Sequence, residues 1–493
     1  MTGPTVPPTA ATEVAGPEPW QPRQIAALAI VAVCGVLVAL VQTLLIPVMG
    51  DIQRDTGAST GDVSWLLTST LLVAAVAVPV MGRLGDMVGK RRMLMVAAGA
   101  LALGSLICAL TSDLAVLIVG RAITGVSAAA IPLGISLIGQ VLSPRRAAGG
   151  IALVSATLGI GGALGLPMAA LIAEHADYHV LFWICAAGGA LAVVGVAFAV
   201  EAPAERRAAE RFDFGGTALL AAALVCLLLP LAQANRWGWG DPRTLSLLVA
   251  SVVLVVVFVL AERRTRSPLV DVRSNARPGL LLTNVASLCV GFALFASLIG
   301  TASYVQAPPE SGYGFGKSVL VSGLAMLPSG VAMLLLSPVS ARLTNRHGPR
   351  LTLALGASIV AVGFLMRIVL VDEFWMILLG TTVAGAGTGI AYAAMPSIIM
   401  RNADPRELAA ANGLNTLFRS VGSSLSSAAG GTLLASQTIT LAGTALPSLG
   451  AYRTLFAICA GAALVGAAIA LVVPMNPAAD EVPAGAEAVP AGA

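Results

Sequence analysis

The sequence predicts an all-α polytopic membrane protein with fourteen transmembrane helices, arranged as two six-helix bundles plus two inserted helices. Three observations support this fold class. Hydrophobic residues make up 57% of the 493 residues and charged residues only 11%, whereas soluble domains carry about 25% charged residues. Many apolar runs reach the length of about 20 residues that crosses a bilayer. A glycine-rich basic turn at 82–92 returns in weakened form at 341–350, which indicates an internally duplicated chain.

Fourteen apolar runs, here called spans 1 to 14, divide the chain into five parts. The N-terminal bundle, 24–200, holds spans 1 to 6 at 24–48, 63–81, 93–111, 114–141, 148–173 and 180–200. The segment 201–279 holds a cytoplasmic loop and the inserted spans 7 and 8 at 215–233 and 244–261. The C-terminal bundle, 280–473, holds spans 9 to 14 at 280–304, 318–338, 351–371, 374–399, 408–435 and 453–473. Residues 1–23 and 474–493 are rich in Pro and Ala, which predicts disordered tails.

The placement of Lys and Arg orients these spans. Twenty of the 28 basic residues fall on the side that carries both termini, and five fall on the other side. Because positive charge concentrates in cytoplasmic loops, we predict a multi-pass protein of the plasma (inner) membrane with both termini in the cytoplasm.

The turn between spans 2 and 3 combines three glycines, one acid and a basic cluster. Gly82, Gly85 and Gly89 let the chain turn sharply and let two helices pack closely. Asp86 is expected at the start of span 3, where the helix dipole favours negative charge. Arg91 and its basic neighbours are expected to face anionic lipid or a carboxylate. The spacing does not fit a nucleotide-binding P-loop, so transport would draw on a gradient.

Two further spans carry unusual residues. Arg121 lies inside span 4, where a guanidinium is costly and suggests a functional role, although it could also simply cap backbone carbonyls. Span 5 carries Gly161 and Gly165, followed by Pro167. Glycine spacing of this kind lets helix backbones touch and proline bends a helix, so span 5 is either a hinge or an ordinary tight contact.

A few lone polar groups are expected at the centre of the membrane. Gln42 lies in span 1, Asn284 in span 9, and Asn415 with Arg419 in span 13. Arg419 is about 16 Å deep at 1.5 Å per residue. Each is a candidate for the substrate cavity, and each could instead bond or pack between helices.

Acidic residues are missing from the middle of every span and lie only at span ends. Proton coupling therefore lacks an obvious carboxylate. The candidate is a group at the outer end of spans 5 and 6, where Glu174, His175 and Asp177 lie close in sequence and could titrate near neutral pH. A solvated polar loop is the alternative.

Together these residues resemble the fourteen-span drug:proton antiporter branch of the major facilitator superfamily. Residues 82–92 resemble its loop motif, 117–125 its span 4 arginine motif with Thr124 in place of a Gln, and 161–170 a weakened span 5 antiporter motif. Residues 211–216 and 262–269 flank the inserted spans as in that branch. The resemblance implies a central cavity and alternating access. Relatives commonly carry an Asp in span 1 before a proline that aligns with Pro47, and this chain has none.

The function that these observations favour is secondary active export of amphiphilic drugs or antibiotics, by proton antiport. Its expected partners are a small amphiphilic substrate, protons and the lipid bilayer, without nucleic acid, cofactor or metal, and the chain is expected to act as a monomer. An exporter of a lipid or an endogenous metabolite is the alternative on the same fold. A transport-inactive sensor would need a soluble signalling segment, and an enzyme would need a nucleophile–base pair or a metal cluster, which the sequence does not offer.

Overall fold

The computed structural model describes residues 20–200, 212–265, 267–441 and 444–475. Most of the two predicted tails, and the loop at 201–211, lie outside the described residues. The described chain is helical apart from loops and one short hairpin.

The first six predicted spans each correspond to a helix or to a broken helix. Span 1 comprises Pro22–Thr43 and Leu45–Thr56, span 2 Thr60–Val63 and Trp65–Val88, span 3 Lys90–Ala109, span 4 Leu114–Gly125, Val126–Ala129 and Ala130–Val141, span 5 Pro144–His175, and span 6 His179–Ala199. Proline at the first turn starts spans 1 and 5, a position where its missing N–H costs nothing. Asp113 caps span 4 by accepting the Val116 N–H.

The inserted spans and the second bundle follow the same pattern. Spans 7 and 8 are Phe214–Trp237 and Pro242–Glu262, and a short helix, Val272–Asn275, precedes the second bundle. Span 9 is Pro278–Gln306, span 10 Val319–Leu324, Leu327–Leu335 and Ser337–His347, span 11 Pro349–Val369, span 12 Phe374–Asn402, span 13 Leu408–Ser436, and span 14 Leu449–Val472. A single-turn helix, Pro309–Ser311, lies between spans 9 and 10.

Twelve helices of the described chain are long and apolar enough to cross a membrane. The other two predicted spans are helical as well. Span 9 contributes a shorter apolar stretch, Pro278–Leu294, and span 13 carries Asn, Ser and Arg residues that lower its hydropathy. The polytopic helical fold is confirmed, and the structure is consistent with the count of fourteen, which stays a prediction.

The helices pack in two groups that meet along two seams. Spans 1 to 6 pack on one another, and so do spans 9 to 14. Span 2 meets span 13 along one seam, and span 5 meets spans 10 and 12 along the other. Span 7 packs on spans 2 and 13, and span 8 packs mainly on span 7. The inserted pair therefore lies outside both bundles, over one seam.

One element differs from the prediction of an all-α chain. Thr438–Leu441 and Thr444–Pro447 form an antiparallel hairpin between spans 13 and 14, with Thr438 opposite Pro447. Alternating Thr, Ile and Leu residues suit a strand with one buried face, and the first strand alternates between exposed and half-buried positions. The prediction missed this hairpin because four-residue strands give a weak sequence pattern.

Candidate functional site

The turn motif seals the predicted cytoplasmic side by joining the two halves. Asp86 is 5% exposed. One carboxylate oxygen accepts the N–H of Ala409 at 3.2 Å, and the other accepts the N–H of Ala410 at 2.9 Å. Both amides belong to the first turn of span 13, where unpaired N–H groups and the helix dipole attract an anion. The carboxylate of one half therefore caps a helix of the other half.

This placement corrects the prediction for Asp86. The residue lies in the last turn of span 2, which runs to Val88, and span 3 begins only at Lys90. Its helix-dipole partner is the N-terminus of span 13, which is more than 300 residues away in the chain. Only the tertiary fold brings these elements together.

Two ion pairs accompany the cap. The Lys90 ammonium lies 3.1 Å from the Asp86 carboxylate, and both side chains are buried. Arg83, 4% exposed, donates to Glu407 at 3.2 Å across the seam. Glu407 immediately precedes span 13. Burial raises the pKa of its carboxyl group above the ordinary value, and the Arg83 charge opposes that rise.

The motif glycines have separate structural roles, whereas the prediction gave all three of them both the turn and the close packing of helices. Only Gly89 has a positive φ, +118°, a conformation that suits glycine. Gly82 is helical, and a Cβ there would lie 2.7 Å from the carbonyl oxygen of Ala409. Gly85 faces Leu133 of span 4. Gly82 thus lets span 13 approach span 2 closely, which brings the amides within reach of Asp86.

Arg91 does not face lipid or a carboxylate as predicted. Its guanidinium donates to the carbonyl oxygens of Val196 and Ala197. These lie in the last turn of span 6, where a cation is favourable. Arg91 therefore fixes spans 3 and 6 within one bundle and does not cross the seam.

The second copy of the turn keeps the backbone geometry and loses the acid. Gly348 adopts a φ of +84° between spans 10 and 11, as Gly89 does between spans 2 and 3. Asn345 stands where the first copy has Asp86, and it is exposed. Ala341 packs with Ala152 of span 5 and with span 12. The seam between spans 5 and 10 is thus closed here by small apolar residues instead of a charged cap.

Arg121 is enclosed by the first bundle. It is 2% exposed and donates to the Val41 carbonyl oxygen of span 1 at 3.4 Å, while its Nε has no hydrogen-bond partner in the part of the chain that the structure describes. No carboxylate of the described chain pairs with it. The geometry matches the alternative of an arginine that bonds a backbone carbonyl between helices.

The span 5 glycines form a tight contact with span 1. A Cβ at Gly161 would lie 2.5 Å from the Val36 carbonyl oxygen, and one at Gly165 would lie 2.9 Å from that of Leu40. Pro167 lies inside one continuous helix and contacts Gly323 of span 10. The structure thus shows close packing on both sides of span 5.

The polar residues of the second bundle form one network. Asn415 donates to Asn284 at 3.0 Å, and the Ser287 hydroxyl donates to the carbonyl oxygen of Asn415 at 3.3 Å. One turn further along span 13, the Arg419 guanidinium lies over the Tyr392 ring at 4.7 Å. Gln42 is exposed on span 1 and lies on the other bundle.

The outer-mouth residues are not gathered into one site. Asp177 accepts from the backbone N–H of His179 at 2.7 Å and pairs with its ring. These hydrogen bonds hold the pKa of Asp177 below its ordinary value. Glu174 and His175 end span 5 at exposed positions, and the His175 ring contacts the Leu171 carbonyl oxygen. Among the described residues, no ion pair links Glu174 to the others.

Three residues at these sites were missed or underused by sequence reasoning. Glu407 could be noticed only as a carboxylate before a helix. Tyr392 looks like any aromatic residue in an apolar span, and its contact with Arg419 depends on helix packing. Glu262 is 3% exposed at the end of span 8, and neither of its carboxylate oxygens has a hydrogen-bond partner among the described residues.

Comparison with known proteins agrees with this architecture. The family model of the Major Facilitator Superfamily matches residues 31–305 and 288–493. The tetracenomycin C resistance and export protein of Streptomyces glaucescens is 31% identical over 417 residues, which cover 83% of this chain and 75% of that protein. The puromycin resistance protein of Streptomyces alboniger is 31% identical over 357 residues, 70% of this chain and 67% of that protein.

Two further comparisons concern the length of the chain and its fold. An uncharacterized MFS-type transporter of Mycobacterium tuberculosis (strain ATCC 25618 / H37Rv) is 30% identical over 445 residues, which cover 88% of this chain but 63% of that longer protein. The crystal structure of the human organic anion transporter MFSD10 superposes with a TM-score of 0.65 at 16% identity, over 91% of this chain and 100% of that chain. Since the family model covers most of the sequence and a relative is 31% identical over 83% of it, the chain belongs to the Major Facilitator Superfamily of membrane transporters.

Proposed function

We propose that this transporter exports amphiphilic drugs or antibiotics by proton antiport with alternating access. It acts as a monomer in the plasma membrane with both termini cytoplasmic. The observation that carries the proposal is the seal, in which Asp86 caps span 13 across the seam between the halves. A bond of this kind holds one conformation of a two-state transporter, and breaking it opens the predicted cytoplasmic side.

The similarity to exporters of tetracenomycin C and to a puromycin resistance protein supports aromatic antibiotics as the substrate class. The residues between the bundles fit such compounds. The apolar cluster around Tyr392 and Met333 is completed by Leu158 of the other half, and the Asn415 network adds a few hydrogen-bonding groups. A site of this kind accepts a large apolar body and orients it through few polar contacts.

Proton coupling is assigned to Glu262 instead of the outer mouth. Asp177 stays ionised because its pKa is lowered. The Glu262 and Asp213 carboxylates both lie beside Gly216. A Cβ atom added to this glycine would be 2.5 Å from a Glu262 oxygen and 2.6 Å from an Asp213 oxygen, so the two carboxylates are close to each other. Asp213 is held by the Gly216 N–H at 2.7 Å. The amides of Leu269 and Val270 face Glu262 without closing a hydrogen bond of ordinary geometry.

A proton on Glu262 would relieve the repulsion between these carboxylates. Because Arg83 also acts on Glu262, the charge of Glu262 competes with Glu407 for Arg83. Ionisation of Glu262 therefore weakens the Arg83–Glu407 pair and with it the seal. This links proton release on the cytoplasmic side to opening of that side.

The proposal is tested by expressing the chain in an efflux-deficient bacterium. We expect the minimal inhibitory concentrations of tetracenomycin C and puromycin to rise over those of the empty vector, and the rise to disappear with Asp86→Asn at equal membrane levels. Unchanged resistance to both antibiotics, with export of lipid or metabolite detected instead, would replace the drug by an endogenous substrate.

A further inference from the structure

Arg419 reaches across the second bundle at mid-membrane. The Cγ atom of Arg419 packs against Gly291 of span 9. A Cβ atom added to Gly291 would lie 2.9 Å from the Arg419 Cγ and 2.5 Å from the Arg419 carbonyl oxygen. The guanidinium ends over the Tyr392 ring of span 12, 4.7 Å from its centre. Glycine at 291 therefore makes room for the side chain to extend from span 13 to span 12.

The site contains a buried donor without an acceptor beside a charge without a carboxylate. The Tyr392 side chain is 2% exposed, and its hydroxyl has no hydrogen-bond partner among the described residues. No carboxylate among the described residues pairs with Arg419, and the acids of the spans lie at helix ends. A cation–π contact is weaker than the cost of placing a guanidinium at the bilayer centre. The stacking alone therefore does not offset the charge.

The other two span arginines are enclosed. Arg121 is 2% exposed and bonds the Val41 carbonyl oxygen, and Arg367 is 0% exposed with its guanidinium 3.9 Å from the Phe456 ring centre. Arg419 is partly exposed. Among these three arginines, Arg419 is therefore the most accessible.

We infer that Arg419 and Tyr392 bind an acidic group of the exported compound, a carboxylate on an aromatic body. This inference rests on the proposed export function and names its substrate class. A guanidinium donates two parallel hydrogen bonds to a carboxylate, and the Tyr392 hydroxyl supplies a third donor. Stacking on Tyr392 holds the guanidinium in place before binding. A compound without an acidic group would leave the Arg419 charge without a counterion and would bind this site more weakly.

Binding of a matched pair of probes to the purified full-length protein tests the inference. Anthraquinone-2-carboxylate and anthraquinone-2-carboxamide have the same aromatic body and differ in charge. We expect wild type to bind the carboxylate at least tenfold more tightly. Arg419→Gln should reduce carboxylate affinity to that of the carboxamide and leave carboxamide affinity unchanged. Tyr392→Phe should weaken carboxylate binding several-fold, and Arg243→Gln, which removes an exposed arginine outside the site, should have no effect.

The outcomes separate this inference from the proposed function. Equal or tighter binding of the carboxamide by wild type would overturn the inference without any variant, as would absence of binding by both probes. A preference that survives in Arg419→Gln would overturn the assignment of the site. If wild type prefers the carboxylate but proteoliposomes do not move it, the anion site stands and the export function fails.

Discussion

The substitution Asp86→Asn tests whether the cap on span 13 controls the conformational equilibrium. Asp86 takes part in two kinds of contact. Its pair with Lys90 lies within one bundle, four residues along the chain, so it persists when the halves separate. Its bonds to the Ala409 and Ala410 amides cross the seam and exist only when the seal is closed. Among the contacts of Asp86, only these two bonds therefore favour the closed conformation over the open one.

The magnitude follows from those two bonds. A hydrogen bond to a charged group contributes about 1.5–3 kcal/mol, and a charge at a helix N-terminus about 0.3–1 kcal/mol. Asparagine keeps one acceptor oxygen for Ala410 and turns an NH₂ group toward the other amide. The closed state therefore loses one bond and the dipole attraction, about 2 kcal/mol or more. That corresponds to a shift of about 30-fold or more toward the open state.

Distance measurements between spin labels check this shift. Labels at Arg92→Cys and Arg346→Cys, both exposed and on opposite halves, report separation of the predicted cytoplasmic ends in a background without the six native cysteines. We expect the longer distance to gain population in Asp86→Asn. The control Asp62→Asn removes an exposed carboxylate that accepts a hydrogen bond from the nearby Ser59 hydroxyl. Identical distance distributions in Asp86→Asn and wild type would refute the reasoning.

Four further predictions concern the seal and the proton. Gly82→Ala places a methyl group against the Ala409 carbonyl oxygen and should reduce efflux several-fold, whereas Gly149→Ala, with open space around it, should transport normally; equal losses in both would contradict the role of close approach. Asp177→Asn should leave the pH dependence of transport unchanged, because a carboxyl with a lowered pKa is already ionised and its contribution is lost only as the pH falls through that lowered pKa; a flattened pH profile would restore the outer mouth as the proton site. Glu262→Gln should remove the pH dependence of transport while substrate binding remains, and an unchanged profile would exclude this residue. Arg121→Lys should lower transport and thermal stability together, because an ammonium cannot reproduce a guanidinium packed between helices; loss of transport at full stability would assign Arg121 a direct part in coupling.

The sequence supports the architecture because hydropathy and basic residues report directly on membrane crossing. The turn motif at 82–92 also predicts that Asp86 interacts with basic residues and a helix N-terminus. The motif does not predict which helix is the partner. Ala409 and Ala410 of span 13 come within reach of Asp86 only through packing across the duplicated halves. Packing within the first bundle, which the sequence does not report either, explains why Arg91 is found on the end of span 6 and not on a carboxylate.

The centre of the membrane is harder to predict than its borders. Asn284, Asn415 and Arg419 stand out as polar residues in apolar spans, and the first two bond each other. Tyr392 gives no such signal, because one aromatic residue in an apolar helix is ordinary. The sequence shows directly that span 1 lacks an acid. It does not show that Glu262 and Asp213 lie close together, because this depends on how the ends of the two inserted helices are placed in space.

Uptake of tetracenomycin C into inverted membrane vesicles tests the central claim, proton-driven export, most directly. Vesicles that contain the protein are given an acidic lumen, and vesicles without it provide the background. We predict protein-dependent accumulation of the antibiotic that disappears when a protonophore collapses the gradient. Protein-dependent uptake that is equal with and without the gradient would contradict proton antiport, and absence of any protein-dependent uptake would contradict export of this antibiotic.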